Sequence, residues 1–406
     1  MAKILITSVG TGDIRKDSDS DYVETTYNIG GKSYTNTLTS QVIVEHFNID
    51  KIYFIGTVGS MWDNLYFKYD GENEEYLDDL TKKKKDKTLT VNDLEGLNNQ
   101  IDIYLKSNGS KCFLLDYGKN DSDEVWSNFE KILEIKKYLS EDDEIYLDIT
   151  HGFRYMPILN IFALEFLSQL NERIKPKAIL YGMFAGNKSE ILDFNIFFEL
   201  LEWAKAIEEL EKFASLDRLV ELSNGKIDTK GYNVLISMKD AFNIAYMTSI
   251  YNSINNLNNH LNYFTENENR IIKLIVPRVK SFVNRLASKN LSDFQFKLAR
   301  FFADKNNYAL AYIALAEATV SYVCEKNKLN ENSKNDRQKA KDTLYDLYKY
   351  SNGSKQKKFI HIYDKKISEI RNNIAHQLET TRNSKHDIEN FDKYFKETKK
   401  YLKEIF

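Results

Sequence analysis

The residues best suited to acid–base chemistry in this sequence are Arg371, Asn372 and His376. They flank the apolar stripe of a predicted helix, and Asn372 and His376, one turn apart, share a face of it. An imidazole transfers protons near neutral pH, and a guanidinium stabilises the charge that grows on phosphorane oxygens. Together these groups suit cleavage of RNA by its own 2′-hydroxyl, for which no metal ligand is needed.

The spacing between Arg371 and His376 is a weak signal when it is taken alone. Arginine and histidine are ordinary surface residues, so the structural alternative is a solvated arginine beside a capping or solvated histidine. The nearby pair Arg382 and His386 has one residue too few between its members and is not counted. Whether Arg371 and His376 form a nuclease site or are ordinary surface residues therefore depends on the rest of the chain.

A second group of glycine and polar residues follows three predicted strands in the amino-terminal half. Its members are Gly10, Thr11, Gly12, Gly56, Thr57, Ser60, Thr150, His151, Gly152 and Arg154. The carboxyl ends of parallel strands meet at one edge of a sheet, where backbone N–H groups and helix N-termini favour anions. The group predicts a site for a phosphate-rich or nucleotide ligand, although each loop alone is equally typical of a β–α turn.

The order of apolar patterns predicts two kinds of structure. Strand-like and helix-like runs alternate up to residue 196, which indicates an α/β, Rossmann-like amino-terminal domain with a mostly parallel sheet. Helical periods then continue to the end of the chain and predict an all-α carboxyl-terminal region. We divide the chain into residues 1–196, a helical connecting region at 197–289 and a final helical domain at 290–406.

Three apolar runs predict particular helices. The helix after Gly152 reads as core through Ile158, Phe162, Phe166 and Leu170. A second stripe, from Ile236 to Leu261, predicts one long helix, and the run Phe359–Leu378 predicts the helix that carries Arg371.

Composition limits the class of protein. The 406 residues include 57 Lys+Arg and 60 Asp+Glu, so the net charge of −3 gives no sign of a broad basic face for nucleic acid. Cys112 and Cys324 lie in separate apolar runs and predict buried free thiols rather than a zinc site. The longest apolar helix, residues 308–323, carries Glu317 and is short for a membrane span, so we expect a cytoplasmic protein without a membrane partner.

The run Asp148-Ile-Thr-His-Gly152 resembles the Asp-x-Thr-His-Gly signature of the Csx1/Csx2/Csm6-like CRISPR-associated proteins, which carry a CARF domain. The following Phe153-Arg154 is similar to that family as well. Arg371 to His376 resembles the Arg-x4–6-His motif of HEPN ribonucleases, the effector domain joined to CARF domains in this group. The resemblance implies a CARF sensor at 1–196 and a HEPN nuclease at 290–406.

The resemblance also implies partners and a mechanism. Two CARF domains of a homodimer would share one cyclic oligoadenylate activator, with cA4 favoured over cA6, and association beyond the dimer is left open. Paired Arg371 and His376 residues, with Asn372 orienting the site, would cut single-stranded RNA in type III CRISPR defence and leave 2′,3′-cyclic phosphate ends. No cofactor and no metal are implied. The alternatives are a nucleotide-sensing regulator or scaffold without nuclease activity, or a protein that also degrades its own cyclic ligand.

Overall fold

A computed structural model describes residues 1–10, 24–119, 121–152, 155–171, 174–184, 189–265, 269–350, 353–376 and 384–406. The chain divides into two compact units, Met1–Glu199 and Leu200–Phe406. In the described ranges, no helix combines the length and the apolar character that crossing a lipid bilayer requires.

The described residues of the first unit form one mixed sheet of eight strands. These are β1 (Lys3–Ser8), β2 (Thr25–Ile29), β3 (Lys32–Asn36), β4 (Lys51–Thr57), β5 (Lys111–Leu115), β6 (Glu144–Asp148), β7 (Pro176–Met183) and β8 (Ser189–Asp193). The spatial order is β3-β2-β8-β7-β6-β1-β4-β5. The run from β7 to β5 is parallel, whereas β8 is antiparallel to β7 and β3 is antiparallel to β2.

Both faces of this sheet are covered by apolar side chains. Along β1, Leu5 belongs to the core on one face, whereas Ile4 and Ile6 belong to the core on the other. Successive side chains of a strand point to opposite faces, so a continuous apolar run marks a strand buried on both sides. The helices that provide this cover are α1 (Thr39–Phe47), α2 (Trp62–Lys68), α3 (Glu74–Asp86), α4 (Glu95–Leu105), α5 (Ser122–Leu133) and α6 (Met156–Leu170).

The remaining helices form the second unit. The first of them, α7 (Asn195–Phe213), begins in the first unit and continues into the second. The others are α8 (Asp217–Ser223), α9 (Thr229–Ile244), α10 (Met247–Thr265), α11 (Arg270–Leu286), α12 (Leu291–Asp304), α13 (Tyr308–Lys326), α14 (Lys334–Tyr350), α15 (Ser354–Ile362), α16 (Glu369–His376) and α17 (Ser384–Ile405). One continuous core joins them, with the fully buried rings of Phe282, Phe294 and Phe391 among its largest side chains. A six-residue π-helix, Tyr363–Ser368, lies between α15 and α16.

The predicted fold class, a Rossmann-like α/β domain followed by a helical region, is confirmed. The single long helix predicted from Ile236 to Leu261 is wrong, because the chain forms α9 and α10 with Ala245 between them. Ala245 has a φ of 55°, a left-handed conformation that ends a helix. Such a break is usually marked by glycine, and alanine gave no warning of it.

Candidate functional site

Three strand ends meet at one edge of the sheet. β1 lies between β4 and β6, and the three strands are parallel. The pairs nearest their carboxyl ends include Ser8 with Ile55 and Thr7 with Asp148. The structure therefore brings Gly10, residues 56–60 and residues 150–152 to the same edge, which is where open α/β sheets bind ligands.

Asp148 organises the turn at the end of β6. Its side chain is fully buried and accepts hydrogen bonds from the hydroxyls of Thr7 (2.9 Å) and Thr39 (3.1 Å) and from the backbone N–H of Thr150 (2.9 Å). A buried carboxylate without such donors would be strongly disfavoured. The first residue of the Asp-x-Thr-His-Gly motif therefore acts as the scaffold of the turn.

The rest of this turn is fixed by Thr150 and Gly152. The Thr150 hydroxyl accepts a hydrogen bond from the backbone N–H of Gly182 at 2.7 Å, which ties the turn to β7. Gly152 has a φ of +125°, and a Cβ at this position would lie 2.8 Å from the Cβ of Ser8. Both conditions require glycine. The turn after β6 therefore packs tightly against Ser8, the last residue of β1.

His151 is held in an environment that disfavours its charged form. Burial lowers the pKa of His151 below its ordinary value, and the nearby charge of Asp148 opposes this effect only in part. The imidazole is therefore neutral at pH 7. In this form the ring carries no fixed positive charge.

Thr57 and Ser60 lie at this edge but face inwards. Their side chains are 2% and 1% exposed. The Ser60 hydroxyl accepts from the Thr57 N–H at 2.9 Å and donates to the Val9 carbonyl at 3.1 Å, while the Gly10 carbonyl accepts from the Met61 N–H at 3.0 Å. These contacts shape the loop. A direct contact between either hydroxyl and a ligand stays a prediction.

The site residues Gly56, Thr11, Gly12 and Arg154 have different outcomes. Gly56 is required by packing, because a Cβ there would lie 2.6 Å from the ring of Trp62. Thr11, Gly12 and Arg154 lie outside the described residues.

The apolar stripe of α6 lies on the surface, so the prediction that it forms core is wrong. Its four side chains are between 45% and 61% exposed: Ile158, Phe162, Phe166 and Leu170. The opposite side of α6 packs on the sheet through residues such as Ala163 and Leu167. Phe166 also lies near Phe129 of α5, with ring centroids 6.1 Å apart. A helix that is apolar on both sides leaves one apolar face for a partner.

In the second unit, Arg371 and Asn372 line a cavity of about 440 Å³. Its other lining residues are Ala316, Glu317, Val320, Lys341, Leu344, Tyr345, Ile360, Tyr363, Asp364, Lys365 and Ser368. They come from α13, α14, α15, α16 and the π-helix. The cavity therefore joins apolar walls to charged groups around Arg371.

Glu317 on α13 holds two arginines. One carboxylate oxygen, Oε1, lies 3.3 Å from Nη2 of Arg371, and the other accepts a hydrogen bond from Arg337 on α14. Arg337 also donates to the Ser321 hydroxyl at 3.1 Å and the Glu331 carbonyl at 3.2 Å. Arg337 is thus fixed in place and holds one oxygen of Glu317, which leaves Oε1 to orient the guanidinium of Arg371. Arg337 had no sequence signal, since only packing brings it here.

The π-helix lies directly before this motif, where the sequence predicted an uninterrupted helix over Phe359–Leu378. π-helical turns inside helices are frequent at functional sites. Tyr363, in its first turn, lines the cavity, and burial, aided by the charge of Glu317, raises the pKa of its hydroxyl. The hydroxyl therefore stays protonated at neutral pH and can donate a hydrogen bond.

His376 is the last residue of α16 and is exposed. It lies one helical turn after Asn372, on the same helix as Arg371. Asn372 accepts a hydrogen bond from Nη1 of Arg371 at 3.1 Å. The structure thus brings Arg371 and Asn372 together at the cavity and leaves His376 accessible outside its lining.

A Rossmann-like sheet with an Asp-x-Thr-His-Gly turn at the carboxyl edge of β6, followed by a helical unit, is the arrangement that the resemblance to CARF-domain proteins implies. Residues 4–185 match the family described as "CRISPR system endoribonuclease Csx1, CARF domain". Residues 199–290 match the family described as "CRISPR-associated protein MJ1674, second domain". The chain is therefore similar to CRISPR-associated proteins that carry a Csx1-type CARF domain.

The chain is also similar to individual proteins. CRISPR-associated protein MJ1674 of Methanocaldococcus jannaschii is 30% identical over 93% of this chain and 62% of that protein. The CRISPR system endoribonuclease Csx1 of the same organism is 27% identical over 48% of this chain and 40% of that protein. The chain thus spans about three fifths or less of these relatives. A structure of Enterococcus italicus Csm6 bound to cyclic hexa-2′-fluoro-hexa-dAMP covers 100% of this chain and 95% of that chain, with 14% identity and a TM-score of 0.45.

Proposed function

We propose that this chain is a single-stranded RNA endoribonuclease of type III CRISPR defence that a cyclic oligoadenylate activates. The relationship to Csx1, which is named an endoribonuclease, supports this class of reaction. The observation that carries the proposal is the Arg371 guanidinium, which Glu317 holds at an open cavity on the helix that also bears His376.

In the proposed reaction, the RNA 2′-hydroxyl attacks the adjacent phosphate. His376 moves the proton from the attacking 2′-hydroxyl to the 5′-oxygen that leaves. Arg371 stabilises the charge on the phosphorane oxygens, and Asn372 keeps Arg371 in place. The 5′-hydroxyl of the next nucleotide leaves, and a 2′,3′-cyclic phosphate remains. Each protomer of a homodimer contributes Arg371 and His376 to a composite site, which fits the exposed position of His376.

The cyclic activator is proposed to lie on the edge formed by Gly10, residues 56–60 and residues 150–152. Backbone N–H groups and the neutral His151 would meet its phosphates and bases there. A ring with two-fold symmetry suits two copies of this edge related by the same symmetry. Tighter binding to the active arrangement than to the inactive one would then switch on RNA cleavage.

The test of this function is RNA cleavage with and without a panel of cyclic oligoadenylates, beginning with cA4 and then cA6. We expect cleavage of single-stranded RNA only when one of the cyclic oligoadenylates is present. We also expect this cleavage to continue in EDTA. Tight ring binding without RNA cleavage would instead identify a regulator or scaffold. Loss of the ring during incubation would identify a protein that also degrades its ligand.

The exposed stripe of α6 supports a homodimer, and Phe162→Glu is expected to weaken it. A charge placed in an apolar interface is costly, so we expect the dimer dissociation constant to rise about tenfold or more. Sedimentation velocity over a series of protein concentrations measures this change. Ile103→Glu is the matched control, because Ile103 is 67% exposed on α4, away from the stripe. A Phe162→Glu protein that dimerises as the wild type does would rule out α6 as the interface.

Because Glu317 contacts both Arg371 and Arg337, the variant Glu317→Gln tests whether this carboxylate orients Arg371. Without the carboxylate charge Arg371 is less well oriented, so we expect kcat for RNA to fall about tenfold, with little change in KM. Single-turnover and steady-state cleavage assays separate the two constants. Glu389→Gln serves as the control, because it removes only an exposed ion pair with Lys385 on α17. Higher activity in Glu317→Gln without activator would show that Glu317 restrains Arg371 rather than orienting it.

A further inference from the structure

We propose that the cavity beside Arg371 is a subsite that binds one nucleotide of single-stranded RNA next to the cleaved phosphate. The inference rests on the proposed nuclease function and adds to it the place where the substrate base lies. Three properties of the cavity carry it: its volume and walls, the aromatic ring at its rim, and its balance of charge.

The volume and walls suit a nucleobase. The cavity measures about 440 Å³, within the usual range of roughly 300 to 1,000 Å³ for small-molecule pockets. Part of its wall is apolar and buried, formed by Ala316, Val320, Leu344 and Ile360. A base of single-stranded RNA that is not stacked on its neighbours exposes a flat apolar face. An apolar wall of this kind can cover that face.

Tyr345 provides an aromatic ring at the rim. It lies on α14, lines the cavity and is 63% exposed, so its ring can be reached from solution. Stacking on tyrosine accepts any base, because every base has a π-face. The exposed ring next to an apolar wall therefore suits a base that enters from solution.

The charged groups around the cavity suit one phosphate. Lys341, Lys365 and Arg371 supply three positive charges, while Glu317 and Asp364 supply two negative ones. Among the described lining residues the difference, 3 − 2, leaves one positive charge, and Arg337, which also contacts Glu317, adds another nearby. Both oxygens of Glu317 already face arginine, which limits its repulsion of an anion. This positive excess favours a nucleotide unit, which carries one negative charge on its backbone phosphate.

The experiment measures RNA binding in the His376→Ala background, so that the RNA is not consumed. A fluorescent single-stranded RNA of about ten nucleotides is titrated with the whole chain in the presence of its activator, and the RNA anisotropy gives the dissociation constant. Tyr345→Ala is expected to raise this constant about fivefold or more, the effect of losing one stacked base. Tyr350→Ala is the matched control, since Tyr350 is 69% exposed on the same helix but does not line the cavity.

A series of RNAs with one abasic nucleotide locates the base. In the His376→Ala protein, one abasic position should weaken binding about fivefold or more, and the same change should have no further effect once Tyr345→Ala is present. Equal binding by Tyr345→Ala and Tyr350→Ala would overturn the subsite. If the unmutated protein cleaves no RNA with any ring, yet His376→Ala protein binds RNA in a Tyr345-dependent way, the nuclease proposal fails while the subsite stands.

Discussion

RNA cleavage by the activated protein is expected to fall at least about 100-fold when His376 is replaced by alanine. General acid–base catalysis contributes typically 10²- to 10⁴-fold, and alanine can neither accept nor donate the proton. Since His376 is exposed at the end of α16, its removal leaves no buried cavity, and we expect the unfolding midpoint to be unchanged. Single-turnover cleavage of a labelled single-stranded RNA at saturating activator measures the loss.

The control for this experiment is His386→Ala. His386 is also an exposed histidine of the same unit, at the beginning of α17, and it belongs to the pair with one residue too few between arginine and histidine. Its replacement is expected to leave cleavage within about twofold of wild type. Undiminished cleavage by His376→Ala would remove this histidine from the mechanism, and an equal loss in both variants would indicate a general effect on the helical unit.

The elements that could be predicted from the sequence are those with strong local signals. The helix Tyr308–Lys326 begins at the residue where the predicted apolar run 308–323 begins, and Arg270–Leu286 is apolar along one side in the same way. Each follows an asparagine, Asn269 or Asn307, whose side chain accepts a hydrogen bond from the first turn. A cap and a period are properties of a few neighbouring residues, so a single sequence reveals them.

Burial could not be predicted in the same way, as α6 shows. Phe162 and Ala163 are neighbours in an almost wholly apolar helix, yet Phe162 is exposed and Ala163 faces the sheet. Hydrophobicity alone does not say which side of such a helix meets its own chain and which side remains for a partner. That distinction depends on the placement of the sheet and of α5.

Those residues of the candidate site that lie within a short sequence motif could be predicted from the sequence. Asp148 to Gly152 and Arg371 to His376 were found as runs, and the parallel strands explain why the first run shares an edge with Gly10. Arg337 was missed because it comes from a separate helix and meets Glu317 only after folding. The inward direction of Thr57 and Ser60 was missed because it depends on hydrogen bonds across two loops.

The free energy of unfolding of the first unit is expected to fall by about 3 kcal/mol in Asp148→Ala. The change removes the acceptor for three hydrogen bonds, from Thr7, Thr39 and the Thr150 N–H, at a fully buried position. Each buried donor left without a partner costs roughly 1–3 kcal/mol, and rotation of the two hydroxyls to other acceptors offsets part of the sum. Because the turn loses its anchor, we also expect activator binding to weaken at least tenfold.

Two further variants separate the role of Asp148 from that of a negative charge at this strand. Asp148→Asn keeps one acceptor for the Thr150 N–H, and the threonine hydroxyls can rotate to accept from its amide, so about 1 kcal/mol is expected. Asp142→Ala removes an exposed carboxylate just before β6 and should stay within about 0.5 kcal/mol of wild type. Urea unfolding of the full chain is followed by tryptophan fluorescence in a Trp203→Phe background, because Trp203 is buried in the second unit whereas the buried Trp62 reports on the first. Equal losses in Asp148→Ala and Asp142→Ala would show that the buried hydrogen bonds of Asp148 do not hold the turn, and the ligand edge would then need another source of rigidity.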